Sequence, residues 1–450
     1  MVKKSTDRCL IDAVFWHFPP YLRQRDLLLA FSGGLDSTVL LHLLVRLRDA
    51  GQIAPFTVVH VHHGLQAVAD DWVRHAQDIT QAHKVPLRVE HVAVDPAAGG
   101  RGLEGAARKA RYAVLASRME EGGVLVTAHQ KDDQAETFLL QLMRGAGVRG
   151  LSAMPPLMPF ARGWHLRPLL GMRRTELECY AEQHDLAWVE DPSNLDTRFA
   201  RNHVRHELLP VLNRHWPKAT ETLARAASRM AATEGLLHDL ARMDLERALT
   251  DDPHVLAVPD LLQFDQERLH NALRFWLLQL GFPPPPEPRL AEMGHLLRIR
   301  HDAVPEVHWD AAVVRRWREG LYAMRRRPDP PSVLDRPWMA EAPLELPEFG
   351  VQLIPLRSHG QGLSWQQVRE QGLSIRVRQG GERIKLTGQA HHKDVKQLLQ
   401  EAAIPPWERA RLPFIHVGDR LAQVGARWIS ADACAHDDEE GLVIQLREFG

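Results

Sequence analysis

"DLLLAFSGGLDST", residues 26–38, passes from a short apolar run into two glycines, an acid and three hydroxyl side chains, and the apolar pattern resumes at "VLLHLL", 39–44. A buried strand followed at once by a buried helix predicts a tight strand-to-helix turn. In an open parallel sheet such a turn lies outside the carboxyl end of its strand, where ligands bind. Gly33 and Gly34 allow close backbone approach. The helix that starts near Asp36 offers unpaired N–H groups and the positive end of its dipole, and Ser32, Ser37 and Thr38 add hydroxyl donors. The loop suits a phosphate. A plain turn in which Asp36 or Ser37 caps the helix is an equally good account of the local physics. The acid becomes intelligible if a Mg²⁺ ion bridges carboxylate and phosphate oxygens. No GxxxxGK[ST] string occurs in the chain, which argues against a Walker-type ATPase.

Working outward, "FTVVHV", "LRVEHVAV" and "GVLVTA" read as further short buried strands, with helical spacing over 36–50, 67–84, 103–121 and 132–144. This alternation predicts a doubly wound parallel sheet, an α/β fold of Rossmann-like type. From about 216 to 280 helical patterning takes over and stops at "GFPPPPEP"; "AAVVRRWREGLYAMRRR" reads as a hairpin and "PDPPSVLDRPW" as a linker. The expected domains are 1–215 (catalytic), 216–335 (mainly helical, with a basic hairpin) and 340–450 (small α+β).

The 450 residues carry a formal net charge of −1 and 44% hydrophobic side chains, an ordinary globular composition. Most of the 56 cations are arginine, whose planar fork suits phosphate. Three dispersed cysteines, Cys9, Cys179 and Cys434, offer neither a disulfide framework nor a CxxC zinc site. The N-terminal segment predicts an amphipathic helix rather than a cleaved signal, because Asp12 interrupts its apolar run. Without an apolar stretch long enough for a membrane helix, the expected location is the cytoplasm, with no membrane partner.

"SGGLDS" after a hydrophobic strand resembles the pyrophosphate loop of the N-type ATP pyrophosphatases, which split ATP into AMP and pyrophosphate to adenylate a substrate. "VHVHHGLQAVADDW" (59–72), "EGAARKARY" (104–112), "TAHQKDDQAETFLLQLMRGAGVRGLSAM" (127–154), "RPLL" (167–170), "DPSNLDTRFARNHVRHELLP" (191–210) and a long block from Arg378 to Ile429 resemble, in that order, the tRNA(Ile)-lysidine synthetases. That resemblance implies a ligase that joins L-lysine to C2 of the wobble cytidine in the CAU anticodon of tRNA(Ile). The reaction runs through an adenylated cytidine, consumes ATP and shifts decoding from AUG to AUA.

By resemblance, Ser32, Gly33, Gly34, Leu35, Asp36, Ser37, Thr38 and the strand end at Val61 bind ATP, Asp133 and Glu136 receive lysine, and Asp36 and Asp132 hold Mg²⁺. Asp36, Arg108, Asp132 and Arg205 form the implied catalytic set. Read from spacing alone, Asp132, Asp133 and Glu136 occupy the first turn of a helix at the same sheet edge as Ser32, where acids also serve as cap and dipole partners. Arg108 has Glu104 as an ordinary i,i+4 partner, the "DPSN" turn is read as structural, and the roles of His62, His63 and His129 stay open.

For tRNA, six arginines face the single acid Glu319 over 315–327, and a second excess of cations spans 371–411. Arg201, Arg315, Arg316, Arg325, Arg326, Lys393 and Lys396 are the expected contacts, although a charge run is also an ordinary solvated face. Trp407 in "IPPWER" reads more readily as a packed corner than as a base-stacking platform. A sulfur-transferring relative would need a cysteine or iron–sulfur set, an amidating ligase an amidotransferase cysteine, and a pure nucleotide or RNA binder would not need so many acids beside a polyanion. A homodimer stays open.

Overall fold

The computed structural model describes residues 2–62, 69–92, 102–299 and 304–449, so His63 lies outside the described residues. The chain forms two compact units, 1–239 and 240–450.

The first unit begins with helix α1 (Val2–His17), whose Leu10 and Val14, with Phe18 beyond its end, are buried in the main core. There follow β1 (Leu27–Ala30), α2 (Leu35–Asp49), β2 (Phe56–His62), α3 (Ala69–Ala82), β3 (Leu87–His91), α4 (Gly102–Ser117), β4 (Val124–Val126), α5 (Lys131–Leu142), α6 (Val148–Leu151), β5 (Leu157–Phe160), β6 (Gly163–Leu166) and α7 (Arg174–Gln183). The six strands lie in the order β3-β2-β1-β4-β6-β5. All neighbours are parallel except β5 and β6, an antiparallel hairpin that closes one edge and carries Pro159 on its outer strand. The expected α/β fold is therefore present. Leu27, Leu29, Val58, Val124 and Val126 are fully buried, as a sheet covered on both faces requires.

The chain leaves β1 toward β2 and β3 and returns on the other side at β4, so the strand order reverses between β1 and β4. That is the switch point at which open α/β sheets bind ligands. "SGGLDST" follows β1 and "HQKDDQAE" follows β4, so topology brings the two chemistry-bearing segments together.

The unit ends in a broken helical run: α8 (Ala200–His203), a π-turn (Val204–Leu208), α9 (Leu209–His215) and α10 (Ala219–Ala248), which continues past the division of the units. The second unit has β7 (Val255–Ala257), α11 (Val258–Leu261), α12 (Gln266–Gln279), α13 (Glu287–Leu296), β8 (Glu306–Trp309), β9 (Ala312–Trp317) and β10 (Gly320–Arg325). The predicted hairpin is β9–β10, but it belongs to a four-stranded antiparallel sheet ordered β7-β10-β9-β8. The outer strands escaped the reading because they are only three and four residues long. Beyond residue 330 the described residues form three antiparallel sheets, built around the pairs Val351–His359 with Glu440–Glu448, Leu373–Arg376 with Phe414–Val417, and Arg383–Ile384 with Lys393–Asp394. A helix, Val395–Glu401, supplies one of the helical parts of the expected α+β segment.

Candidate active site

Gly33 has φ +84°, and a Cβ there would stand 3.0 Å from Val189 Cγ2. Only glycine meets both conditions. Val189 N–H donates to Gly33 O at 3.0 Å, so a later segment of the chain clasps the loop. Gly34 is the N-cap of α2 and supplies no side-chain cap, which leaves the first-turn N–H groups available to an anion. Two of the hydroxyls also bond within the loop. Ser37 Oγ donates to Gly34 O at 2.9 Å and Thr38 Oγ1 to Gly33 O at 3.3 Å, and both side chains are buried. They brace the loop backbone, and Ser32 is the exposed hydroxyl of the three. Gly33→Ala is expected to strain the loop by about 1–3 kcal/mol and to raise the ATP concentration for half-maximal AMP release at least tenfold; wild-type ATP dependence would contradict this account of the loop.

Beside the loop, α5 starts with a capping box. Gln130 Oε1 accepts from Asp132 N–H, and Asp133 Oδ2 accepts from Gln130 N–H at 3.0 Å. Asp133 thus spends one oxygen as a cap and turns the other inward. Glu136, one turn on, is 1% exposed. Arg201 and Arg205 close over both acids. Arg201 Nε donates to Glu136 Oε2 at 2.8 Å, Arg205 Nε to Glu136 Oε1 at 2.6 Å, and the two guanidinium groups reach Asp133 Oδ1 at 3.3 and 3.2 Å. The result is a nearly buried quartet of two acids and two bases. Arg201 was expected to meet tRNA; its guanidinium is instead committed to Glu136 and Asp133, because the helical run after the "DPSN" turn points it into the unit. That turn is structural as read. Asp191 accepts from Ser193 N–H, and Asn202 Nδ2 donates to Ser193 O and Asp196 O, tying the turn to α8. The π-turn that carries Arg205 is of a kind that clusters at functional sites.

Asp36 faces the same region. Burial first, and then the negative charge of Asp133, push its carboxyl from the ordinary 3.8 up to about 7, with Arg174 and Arg205 opposing. Arg174 Nη1 lies 3.9 Å from Asp36 Oδ2, and Arg174 N–H donates to Asp132 Oδ2 at 2.9 Å, so one residue at the start of α7 addresses both acids. Sequence reasoning missed Arg174, and nothing in its local pattern distinguishes it from the many surface arginines. Arg108 is exposed on α4 with its guanidinium 5.0 Å from the Tyr112 ring centroid; the side chain of Glu104 lies outside the described residues. Val61 is the penultimate residue of β2, paired in register with Glu90. His62, at the strand end, packs its ring 4.7 Å from that of His91.

The sequence matches three family models: a PP-loop domain over 9–212, a TilS substrate binding domain over 256–322 and a TilS substrate C-terminal domain over 373–446. It is 42% identical to the tRNA(Ile)-lysidine synthase of Alkalilimnicola ehrlichii, with 88% of each chain covered. It is 40% identical to that of Xanthomonas axonopodis pv. citri, covering 95% of this chain and 98% of the other, and 38% identical to that of Coxiella burnetii, covering 93% and 92%. The chain belongs to the tRNA(Ile)-lysidine synthase family. Membership in the lysidine synthase family makes it an ATP-dependent ligase of tRNA modification, with the PP-loop domain as its ATP-binding part.

Mg²⁺ fits the donor set of this lysidine synthase family member. Asp36 Oδ1 is buried without a hydrogen-bond partner among the described residues, and the neighbouring carboxylates raise the cost of its charge. A hard cation that takes its remaining ligands from phosphate and water would relieve both. Asp36 and Asp132 are the two residues that could hold it. No group of three potential ligands occurs among the described residues.

The second unit contains a cleft of about 2090 Å³ between the β9–β10 hairpin and residues 402–449. Its wall carries an aromatic cluster: Trp407 packs edge-on against Tyr322 (5.2 Å between centroids) and Trp317 (6.4 Å). The guanidinium of Arg315 lies 5.3 Å from the Trp407 centroid while its Nε donates to Glu306 at 2.8 Å. Arg325, Arg326 and Arg327 are exposed at the end of the hairpin. Arg316 is not. Strand alternation turns it inward, where Nη1 donates to Leu297 O and Ile299 O beyond the end of α13. The expectation that it touches tRNA is corrected on that ground. Lys393 pairs with Glu401, and Lys396 is exposed. Among the described residues no helix is long and apolar enough to cross a membrane.

Proposed function

We propose that this chain ligates free L-lysine to C2 of the wobble cytidine of a CAU-anticodon tRNA(Ile), consuming ATP and releasing AMP and pyrophosphate. The cytidine O2 attacks the α-phosphorus and pyrophosphate leaves. The lysine ε-amine then attacks C2, the C2–O2 bond breaks, AMP departs with that oxygen, and the amine sheds its proton. The observation that carries this reading is the juxtaposition at one switch point of an uncapped phosphate loop and a buried acidic pair. A phosphate loop alone would serve any adenylating enzyme, whereas a buried Asp and Glu suit a substrate that brings ammonium groups.

In this reading Ser32 to Thr38 and the end of β2 at Val61 hold ATP. Asp133 and Glu136 receive the ammonium groups of lysine in exchange for part of their bonding to Arg201 and Arg205, and the freed guanidinium groups face the phosphates. Arg108 adds positive charge at the same edge. Mg²⁺, held by Asp36 and Asp132, supplies charge neutralisation on the phosphates when bound. Residues 1–215 are the catalytic part; 216–335 and 340–450 hold the tRNA, with Arg315, Arg325, Arg326, Lys393 and Lys396 as phosphate contacts. A cytoplasmic enzyme is the setting that free lysine, ATP and tRNA imply.

The test is transfer of labelled lysine to an unmodified CAU-anticodon tRNA(Ile) transcript with ATP and Mg²⁺, followed by mild alkali. Alkali-stable label is expected. Alkali-labile label would mean an aminoacyl ester, and either that or no label overturns the reading. Arg325→Glu combined with Arg326→Glu is expected to flatten the dependence of log K on log salt for this tRNA by about 1 to 2; an unchanged slope removes the hairpin from the tRNA interface.

A further inference from the structure

Beneath the candidate site runs a hydrogen-bonded chain that the proposed reaction has not used. Arg167, buried at the end of β6, donates from Nη2 to His165 Nδ1 at 3.0 Å. His165 Nε2 lies 2.9 Å from Thr127 Oγ1, and Thr127 Oγ1 lies 2.8 Å from His129 Nδ1. The direction of every bond follows from donor and acceptor chemistry. Guanidinium only donates, so His165 Nδ1 presents its lone pair and the ring proton sits on Nε2. That proton goes to Thr127 Oγ1. The hydroxyl then has its own proton to place, and His129 Nδ1 is its remaining partner among the described residues. His129 therefore accepts at Nδ1 and carries its proton on Nε2, which makes no hydrogen bond among those residues.

Position gives that N–H a purpose. His129 stands three residues beyond β4, the strand next to β1, and β1 leads into the phosphate loop. We propose that His129 donates a hydrogen bond from Nε2 to an oxygen of the adenylyl phosphate, and that Thr127, His165 and Arg167 are positioning residues that hold the imidazole in the tautomer this requires. The inference rests on the adenylation chemistry proposed above. It also explains why the chain starts at an arginine: a terminal partner able to accept would leave the direction undecided. Burial, together with Arg167, Arg108 and Arg201, holds the His129 imidazole well below its ordinary pKa, so the ring stays neutral at physiological pH. A neutral donor can stabilise charge that develops on phosphate without adding a permanent charge to a site already crowded with arginines.

The test has two arms. Nitrogen-15 NMR of the full-length, ¹⁵N-histidine-labelled protein, with assignment from the signals lost in His129→Gln and His165→Gln, is expected to show the Nε2–H tautomer at both rings; Nδ1–H at His129 overturns the proposal. In the second arm pyrophosphate release is followed with ATP, Mg²⁺, lysine and tRNA. His129→Leu should lower kcat about 10²-fold, as loss of one donor to developing charge does elsewhere. His129→Gln, whose amide can still donate, should recover part of the rate. Thr127→Val should lower kcat about tenfold with KM for ATP changed less than twofold, and Thr127→Ser should restore most of it. Wild-type kcat in Thr127→Val overturns the positioning role. Absence of turnover in the wild-type protein overturns the proposed function instead, and the tautomer at His129 then decides the relay independently.

Discussion

Glu136→Gln is expected to raise the lysine concentration for half-maximal AMP release by about 100-fold and to lower the unfolding midpoint, while tRNA affinity stays unchanged. Glu136 is 1% exposed and answers the Nε atoms of both Arg201 and Arg205. Neutralising it leaves two guanidinium groups to share Asp133. Breaking a buried pair on one side costs about 3 kcal/mol or more, because the partner charge loses its counter-ion. The same arithmetic applies to a lysine ammonium that would take the place of an arginine, and about 2.7 kcal/mol corresponds to 100-fold. Two measurements check this: lysine-dependent AMP release and a denaturant melt. An unchanged lysine dependence with a lowered midpoint would make the quartet a structural feature and move the amino-acid pocket elsewhere.

Asp36→Asn should abolish pyrophosphate release and yet stabilise the fold at alkaline pH. The folded carboxyl titrates near 7 rather than its ordinary 3.8, so the folded state binds the proton more tightly than the unfolded state does. The wild-type protein therefore loses stability as pH rises from about 4 through about 7, and the loss is complete above that window. Asparagine carries no charge and removes the cost. The variant should melt above wild type at pH 8, and the two should converge by pH 4. Mg²⁺ with ATP should stabilise wild type at pH 8 more than the variant, because only the carboxylate brings a negative charge for the cation to neutralise at its unpartnered buried oxygen. Full turnover in the variant would remove the metal role; parallel melting curves at every pH would show that Asp36 is solvated in solution.

Most of the fold was legible because the first 145 residues alternate strand and helix cleanly, and the one turn that matters contains Gly33, whose positive φ beside Val189 only glycine accepts. The acidic half of the site was legible for a similar reason: Asp132, Asp133 and Glu136 are close in sequence and their helical spacing is local. The basic half was not. Arg201 lies 65 and 68 residues from Glu136 and Asp133, Arg174 lies 42 from Asp132 and 138 from Asp36, and Arg316 reads like Arg315 until the strand is placed and its alternation assigned. The bracing bonds of Ser37 and Thr38 were not legible for a related reason. A hydroxyl near a phosphate loop can donate to ligand or to backbone, and spacing alone does not show that Ser37 and Thr38 reach Gly34 O and Gly33 O. The relay from Arg167 to His129 joins residues in and just beyond two neighbouring strands, which no local pattern announces.

The hairpin of β5 and β6 has a use apart from chemistry. An open sheet invites another strand at each free edge. At this edge the outer strand is four residues long, runs antiparallel to its neighbour and contains Pro159, which has no N–H to give an incoming chain. The inner strand of the same hairpin carries His165 and leads into Arg167. Resistance to self-association and the polarity of the relay thus share one short segment, Leu157 to Arg167. Substitutions selected there for solubility would be felt as changes in rate, and engineering of this edge has less freedom than its distance from the phosphate loop suggests.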